Sequence, residues 1–199
     1  MRFNKKKFVY LISPNKIQKS FYNDLTEILK LNKVSFFQLR LKRFSFQKKI
    51  TIGKKIKKIC KKYKIKFLIN DDVLLAKKLN ADGCHLGQKD VDLIEAKKLL
   101  KKKIIGITCH NSIRLAKKAF MHGANYIAVG AFYKTKTKKV KFRAKPSILR
   151  KIKKLSNNPI VAIGGINEKN YKKLLLNKAN FWLFQATFGI IINTNLTKQ

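Results

Sequence analysis

Acidic side chains are scarce in this chain: 9 Asp and Glu stand against 48 Lys and Arg, for a formal net charge of +39. With so few carboxylates, any that gather in one region carry weight. Cysteine occurs only as Cys60, Cys84 and Cys109. An odd number at wide spacing makes neither a disulfide framework nor a zinc pattern, and a reducing, cytoplasmic setting is expected. Proline occurs 3 times and glycine 9 times, and no linker, solenoid-period repeat or low-complexity block divides the chain. No apolar run is long enough to span a bilayer, so no membrane partner is expected. The basic start Met1-Arg2-Phe3-Asn4-Lys5-Lys6-Lys7 leads into Phe8–Ser13, which is too short for a signal core. That stretch runs into Pro14-Asn15-Lys16 without a small-residue cleavage site.

Arginine is also rare, confined to Arg2, Arg40, Arg43, Arg114, Arg143 and Arg150. A strongly basic chain invites a nucleic-acid reading, because clustered cations release counterions from a phosphate backbone. Base readout and bidentate phosphate grip favour arginine, however, and here the cations are lysines. They fall where helix outer faces are expected, as in Lys54-Lys55, Lys57-Lys58 and Lys61-Lys62. A solvated surface explains them, and no specific nucleic-acid partner is expected. A non-catalytic barrel that binds polyanions remains the competing reading. It requires one basic stripe with interleaved aromatics.

What the chain does have is 199 residues with 45% apolar content, enough for one sizeable core and a single domain over residues 1–199. Two periods alternate along it. Short β-rich apolar runs occur at Phe8–Ile12, Val34–Leu41, Phe67–Ile69, Gly83–Leu86, Ile104–Thr108, Tyr126–Val129, Ile160–Ile163 and Phe181–Phe184. Between most of them lie helical stripes, such as Ile17, Phe21, Leu25, Ile28 and Leu29, or Ile52, Ile56, Ile59, Cys60 and Tyr63. Leu93, Ala96, Leu99 and Leu100 form a third stripe, and Ile113, Ala116, Ala119 and Phe120 a fourth. About eight strands alternating with helices predict a parallel α/β fold, a (β/α)8 TIM barrel, with an open doubly wound sheet as the rival. Only Gly189–Gln199 follow the eighth run, so the last outer helix is expected to be short or missing, which leaves room for a homo-oligomer. Lys134–Lys145 is the longest loop candidate.

The polar residues gather at the predicted strand ends, which in a barrel converge on one mouth. Gln38, Arg40 and Lys42 recur at period 2 and are expected to point one way, toward an anionic ligand; a half-exposed strand would show the same alternation. Asn70-Asp71-Asp72 ends the third run and His85-Leu86-Gly87-Gln88-Lys89-Asp90 the fourth. Asp71 and Asp90 could hold one Mg²⁺; helix capping is the alternative, and is preferred for Asp72. His85 reads as a hydrogen-bonded core residue and Cys109 as filler. Thr108 is a candidate donor to a substrate ring, or plain strand packing. Thr135, Thr137 and Lys138 in a Gly130-led loop suit a phosphate. So does Gly164-Gly165 at the end of the seventh run, where a tight turn is the alternative.

Gln38-Leu39-Arg40-Leu41-Lys42, Asn70-Asp71, His85 to Asp90, Thr135-Lys136-Thr137-Lys138 and Ala162-Ile163-Gly164-Gly165-Ile166 follow one another as in thiamine phosphate synthases. The chain resembles that family from Phe8 to about Ala186. The resemblance implies a transferase that joins an aminopyrimidine diphosphate to a (carboxy)thiazole phosphate by a dissociative, Mg²⁺-assisted reaction. Gln38, Arg40, Lys42, Asn70, Thr108 and Lys138 would serve the pyrimidine diphosphate, with Leu39, Leu41 and Lys136 beside them in the same motifs. Arg40, Lys138 and Thr108 would act in catalysis, and Asp71 and Asp90 would bind the metal. Thr135, Thr137, Gly165 and the backbone of Gln185-Ala186 would hold the thiazole phosphate. Three positions depart from the family pattern: Leu41 replaces an acid, Asp72 an arginine and Ala186 a frequent serine. A related thiazole tautomerase is the nearest alternative, but it uses a histidine after the sixth-strand glycine, where this chain has Ala131.

Overall fold

Along each strand, alternate side chains point to opposite faces, and in this chain both faces are apolar for most of their length. Such strands need cover on both sides, which a closed parallel barrel inside a ring of helices supplies. The computed structural model describes residues 8–134 and 142–185 and has this architecture. In chain order the elements are β1 (Val9–Ile12), α1 (Phe21–Lys30), β2 (Val34–Leu39), α2 (Phe46–Lys62), β3 (Lys66–Asn70) and α3 (Val73–Lys78). Then come β4 (Gly83–Leu86), α4 (Leu93–Leu100), β5 (Ile104–His110), α5 (Ile113–Met121) and β6 (Tyr126–Gly130). The series ends with α6 (Ser147–Lys153), β7 (Ile160–Ile163), α7 (Tyr171–Leu176) and β8 (Phe181–Gln185). Each strand pairs in parallel with the next, and β8 returns to β1 with Val9 opposite Trp182 and Ile12 opposite Gln185. That last pairing rules out the open sheet.

Two apolar layers result. Tyr10, Phe36, Leu68, Tyr126, Val161 and Phe181 fill the barrel interior. The larger layer lies between strands and helices; on β3 it takes Phe67 and Ile69 while Leu68 points inward. Trp182 is fully buried in this outer layer, in a three-ring cluster with Phe8 and Tyr171. The largest side chain of the eighth strand is thus directed outward, while Phe181 points into the interior.

Four of the seven described helices start where a side chain takes up an orphan amide. Ser45 caps α2, Asp72 caps α3, Asp92 caps α4 and Ser112 caps α5. At the opposite end of the barrel a small device repeats. Asp82, Asn125 and Asn180, each preceded by alanine, stand just before β4, β6 and β8. Their side-chain oxygens accept from Phe67 N, Ile105 N and Ile160 N on the preceding strands, at 2.9, 2.8 and 3.0 Å.

Two details differ from expectation. β2 stops at Leu39 rather than Leu41, because β1 ends at Ile12 and the Ser13 hydroxyl takes over the ladder by accepting from Arg40 N at 2.8 Å. Ile113 is 39% exposed, and α5 turns Ala116 and Ala119 inward with Leu115 and Phe120 packed beside them. The tail expected to lack a full helix lies outside the described residues.

Candidate active site

The inward positions nearest the C-terminal ends of β2, β3, β4 and β5 are Gln38, Asn70, His85 and Thr108, a polar arc above the apolar interior. Gln38 Nε2 donates to Asn70 Oδ1, and His85 Nε2 lies 2.9 Å from Thr108 Oγ1. Asn70 is in register with His85. Gln38 is 1% exposed, and its Oε1 has no hydrogen-bond partner. A buried acceptor left open costs folding free energy, and a ligand donor would recover it. The Gln88 side-chain amide reaches the same arc, donating from Nε2 to Thr108 O at 2.6 Å.

Above the arc stand the charged groups. The Lys42 ammonium is 3.4 Å from an Asp71 carboxylate oxygen. Asp71 has φ 64°, a left-handed conformation that L-residues adopt at a cost of about 1 kcal/mol, and its N–H donates to His85 O at 2.8 Å. Asp90 Oδ2 accepts from Gly87 N at 2.6 Å. Asp90 is raised above the usual carboxylate range first by partial desolvation, then by the hydrogen bond and charge of Asp71, with the Gly87 amide and Lys42 opposing. The two aspartates therefore share one locus although they come from different strands. A cavity of about 570 Å³ runs from Lys42, Asn70 and Asp71 around α3 to Val91, Glu95 and Leu99; Asp90 does not line it.

The single-sided period expected for Gln38, Arg40 and Lys42 does not hold. Once β2 has ended, Arg40 reaches back to Asn15 Oδ1 at 3.1 Å, toward the end of β1, while Lys42 reaches forward to Asp71. The two cations flank Gln38 instead of stacking above it. Leu39 and Leu41 are 2% and 5% exposed in the layer between strands and helices, so contact with a ligand in the mouth falls to their backbone. Asp72 does cap, accepting from Leu75 N at 2.9 Å, and pairs with Lys49 at 3.7 Å. Asp71 and Asp90 cap no helix.

His85 is a buried hydrogen-bonded residue, its pKa lowered to about 4, chiefly by desolvation. Burial raises the Cys109 thiol to about 12, which removes it as a nucleophile at neutral pH. At the end of β7, Gly164 and Gly165 have φ 93° and 64°, and a Cβ on Gly165 would lie 2.3 Å from Lys134 O. The close approach these glycines permit is therefore that of the loop after β6, whose Tyr133 N donates to Gly164 O at 2.9 Å. Gln185 ends β8 opposite Ile12. Thr135, Lys136, Thr137, Lys138 and Ala186 lie outside the described residues.

Ser13, Asn15 and the tyrosines beneath His85 were not singled out as site residues from sequence. The polar Ser13-Pro14-Asn15 directly after a strand was the available signal for the first two. Inward tyrosines on apolar strands gave none.

Comparison with known proteins supplies the lineage. The family model described as thiamine monophosphate synthase matches residues 9–185. A thiamine-phosphate synthase of Pelagibacter ubique is 69% identical over 184 residues, covering 91% of this chain and 89% of that one. A thiamine-phosphate synthase of Clostridium acetobutylicum is 41% identical over 170 residues, covering 84% and 80%. Among solved structures, a thiamine phosphate pyrophosphorylase from Pyrococcus furiosus superposes with TM-score 0.84 at 28% identity, covering 98% of this chain and 95% of that one. With the family model spanning every strand from β1 to β8, the chain belongs to the thiamine monophosphate synthase family of enzymes.

Proposed function

We propose that the mouth of this barrel joins an aminopyrimidine diphosphate to a thiazole phosphate, forming thiamine phosphate and releasing diphosphate, with CO₂ when the thiazole is carboxylated. The observation that carries the assignment of the site is the pairing of Asp71 and Asp90. Two of only 9 acidic residues meet at one locus, and the charge of one raises the pKa of the other.

That pair fits Mg²⁺. Two carboxylates bearing like charge gain from a divalent cation, and Mg²⁺ takes one or two carboxylates, keeping water and phosphate oxygens as its other ligands. Among the described residues no third His, Cys, Asp or Glu joins the pair, as suits a hard ion shared with substrate better than a soft, fully protein-bound one. Asp71 and Asp90 would hold the ion. When bound it supplies charge neutralisation on the diphosphate.

The chain's own groups account for the rest. Arg40 and Lys42, on either side of Gln38, would bind the diphosphate oxygens, and Lys138 would add a third cation. As the bond from the pyrimidine methylene to the bridging oxygen breaks, negative charge grows on the diphosphate. These cations therefore bind the transition state more tightly than the ground state. Gln38 Oε1, buried and open, suits the exocyclic amino group, and Thr108 suits a ring nitrogen. The thiazole nitrogen then donates its electron pair to the pyrimidinylmethyl cation. No general base is required. Thr135, Thr137, Gly165 and the Gln185-Ala186 backbone are the proposed thiazole phosphate contacts. Leu41 and Asp72 depart from the family pattern without entering the mouth: one is packed under the helices, the other caps α3.

The test mixes both phosphates with Mg²⁺ and follows thiamine phosphate and diphosphate. Wild type forms both in a metal-dependent way, and Asp71→Ala loses at least 100-fold in rate with its circular dichroism unchanged. A fully active Asp71→Ala enzyme with unaltered Mg²⁺ dependence would falsify the metal assignment.

A further inference from the structure

Below the mouth a chain of hydrogen bonds runs down the barrel interior, and none of its lower members can touch a substrate. Thr108 Oγ1 is 2.9 Å from His85 Nε2, His85 Nδ1 is 2.8 Å from the Tyr126 hydroxyl, and that hydroxyl is 2.7 Å from the Tyr10 hydroxyl. Tyr10 and Tyr126 are each 1% exposed, among Phe36, Leu68, Val161 and Phe181. Space for the lower ring is made by a missing side chain: a Cβ on Gly106 would lie 1.9 Å from the Tyr126 ring. At its upper end Thr108 is half-buried at the mouth.

The direction of such a chain follows from counting protons. A hydroxyl has one proton, and a neutral imidazole is a donor at one nitrogen and an acceptor at the other. His85, buried against two neutral hydroxyls, is neutral. The Tyr10 hydroxyl has one partner, so its proton has one destination, Tyr126. Tyr126 then passes its own proton to His85 Nδ1, which leaves the ring proton on Nε2, directed at Thr108 Oγ1. Thr108 accepts there and keeps its proton for the mouth. Reversing the chain strands the Tyr10 proton in an apolar wall, which buried polar groups avoid.

We propose that Tyr10, Tyr126 and His85 are positioning residues that fix the His85 tautomer and so set Thr108 as a hydrogen-bond donor to the substrate ring. The substrate half rests on the reading above that Thr108 faces the pyrimidine; the relay itself does not. A donor at that point matches a ring nitrogen lone pair and rejects a ring that presents N–H there.

Two measurements test it separately. In protein labelled with ¹⁵N-histidine and free of substrate, the His85 resonances are assigned by their loss in His85→Gln. Wild type shows the Nε2–H tautomer in at least tenfold excess. Tyr10→Phe keeps that tautomer, because Tyr126 becomes the end of the chain and its proton still has one acceptor. Tyr126→Phe, which removes the link, gives a mixture of tautomers. In binding assays Tyr126→Phe and Thr108→Ala each weaken the pyrimidine diphosphate about tenfold and leave inorganic diphosphate unchanged. An Nδ1–H ring in wild type, or a Tyr126→Phe protein with the wild-type tautomer and affinity, overturns the relay. An Nε2–H ring together with unaltered pyrimidine affinity in Thr108→Ala overturns the pyrimidine contact and leaves the relay standing.

Discussion

His85 illustrates how one side chain can tie the site to the stability of the whole barrel. Its pKa is lowered from 6.5 to about 4, desolvation leading and Asp90 opposing. The folded protein therefore binds fewer protons than the unfolded chain between those two values. The stability His85 contributes is full above pH 6.5, declines as pH falls toward 4, and is constant below. A shift of this size corresponds to roughly 3 kcal/mol. Urea unfolding across pH 4–7 should show a steeper acid loss in wild type than in His85→Gln. Parallel curves would mean the imidazole is charged, or exposed, in the native state. Other residues differ in how visible they were beforehand. Asp71 and Asp90 stood out because carboxylates are so rare here, and the two lie near one another; that they hold a metal is the proposal made above. Asp72 was legible as a cap. The open Gln38 oxygen and the tyrosines under His85 were not, since a chain cannot reveal which inward side chains lack partners until the barrel is closed.

At the scale of elements, the eight strands were legible because β-rich apolar runs alternate with lysine-faced helical stripes, and two of them match to the residue: Gly83–Leu86 and Ile160–Ile163. The β2 boundary was not, because it depends on a Ser13 hydroxyl from another strand. Nor was the threefold Ala-Asp/Asn device before β4, β6 and β8, which is two residues long and becomes a pattern only through its bonds. Each copy holds the first or second amide of the preceding strand. Removing one such partly buried bond should cost about 1–2 kcal/mol. Asn125→Ala, which releases Ile105 N, should lower the unfolding free energy from urea titration by that amount, whereas Asn177→Ala, an exposed side chain bonded to Lys173 O, should cost less than about 0.5 kcal/mol. Equal effects at the two sites would show that the device does not brace the strands.

For the whole molecule the dominant fact is charge. With 48 cations and 9 acids, ion pairs can neutralise few of the lysines, and those between described residues are Lys30–Glu27, Lys42–Asp71, Lys49–Asp72 and Lys66–Asp82. Self-repulsion across such a surface falls once the screening length drops to about 8–10 Å near physiological ionic strength. The melting temperature should therefore rise by at least about 3 °C between very low salt and about 0.15 M NaCl. A flat profile by calorimetry would show that the lysines are too far apart to destabilise the fold.

The stack of rings beneath the mouth has one more effect. With Tyr10, Phe36, Tyr126 and Phe181 packed across the interior, the site is a cup with a floor, not a tunnel. On the proposed reading, both reactants would enter and the diphosphate would leave from above that floor, and bulk water would have no path through it to a carbocation formed there.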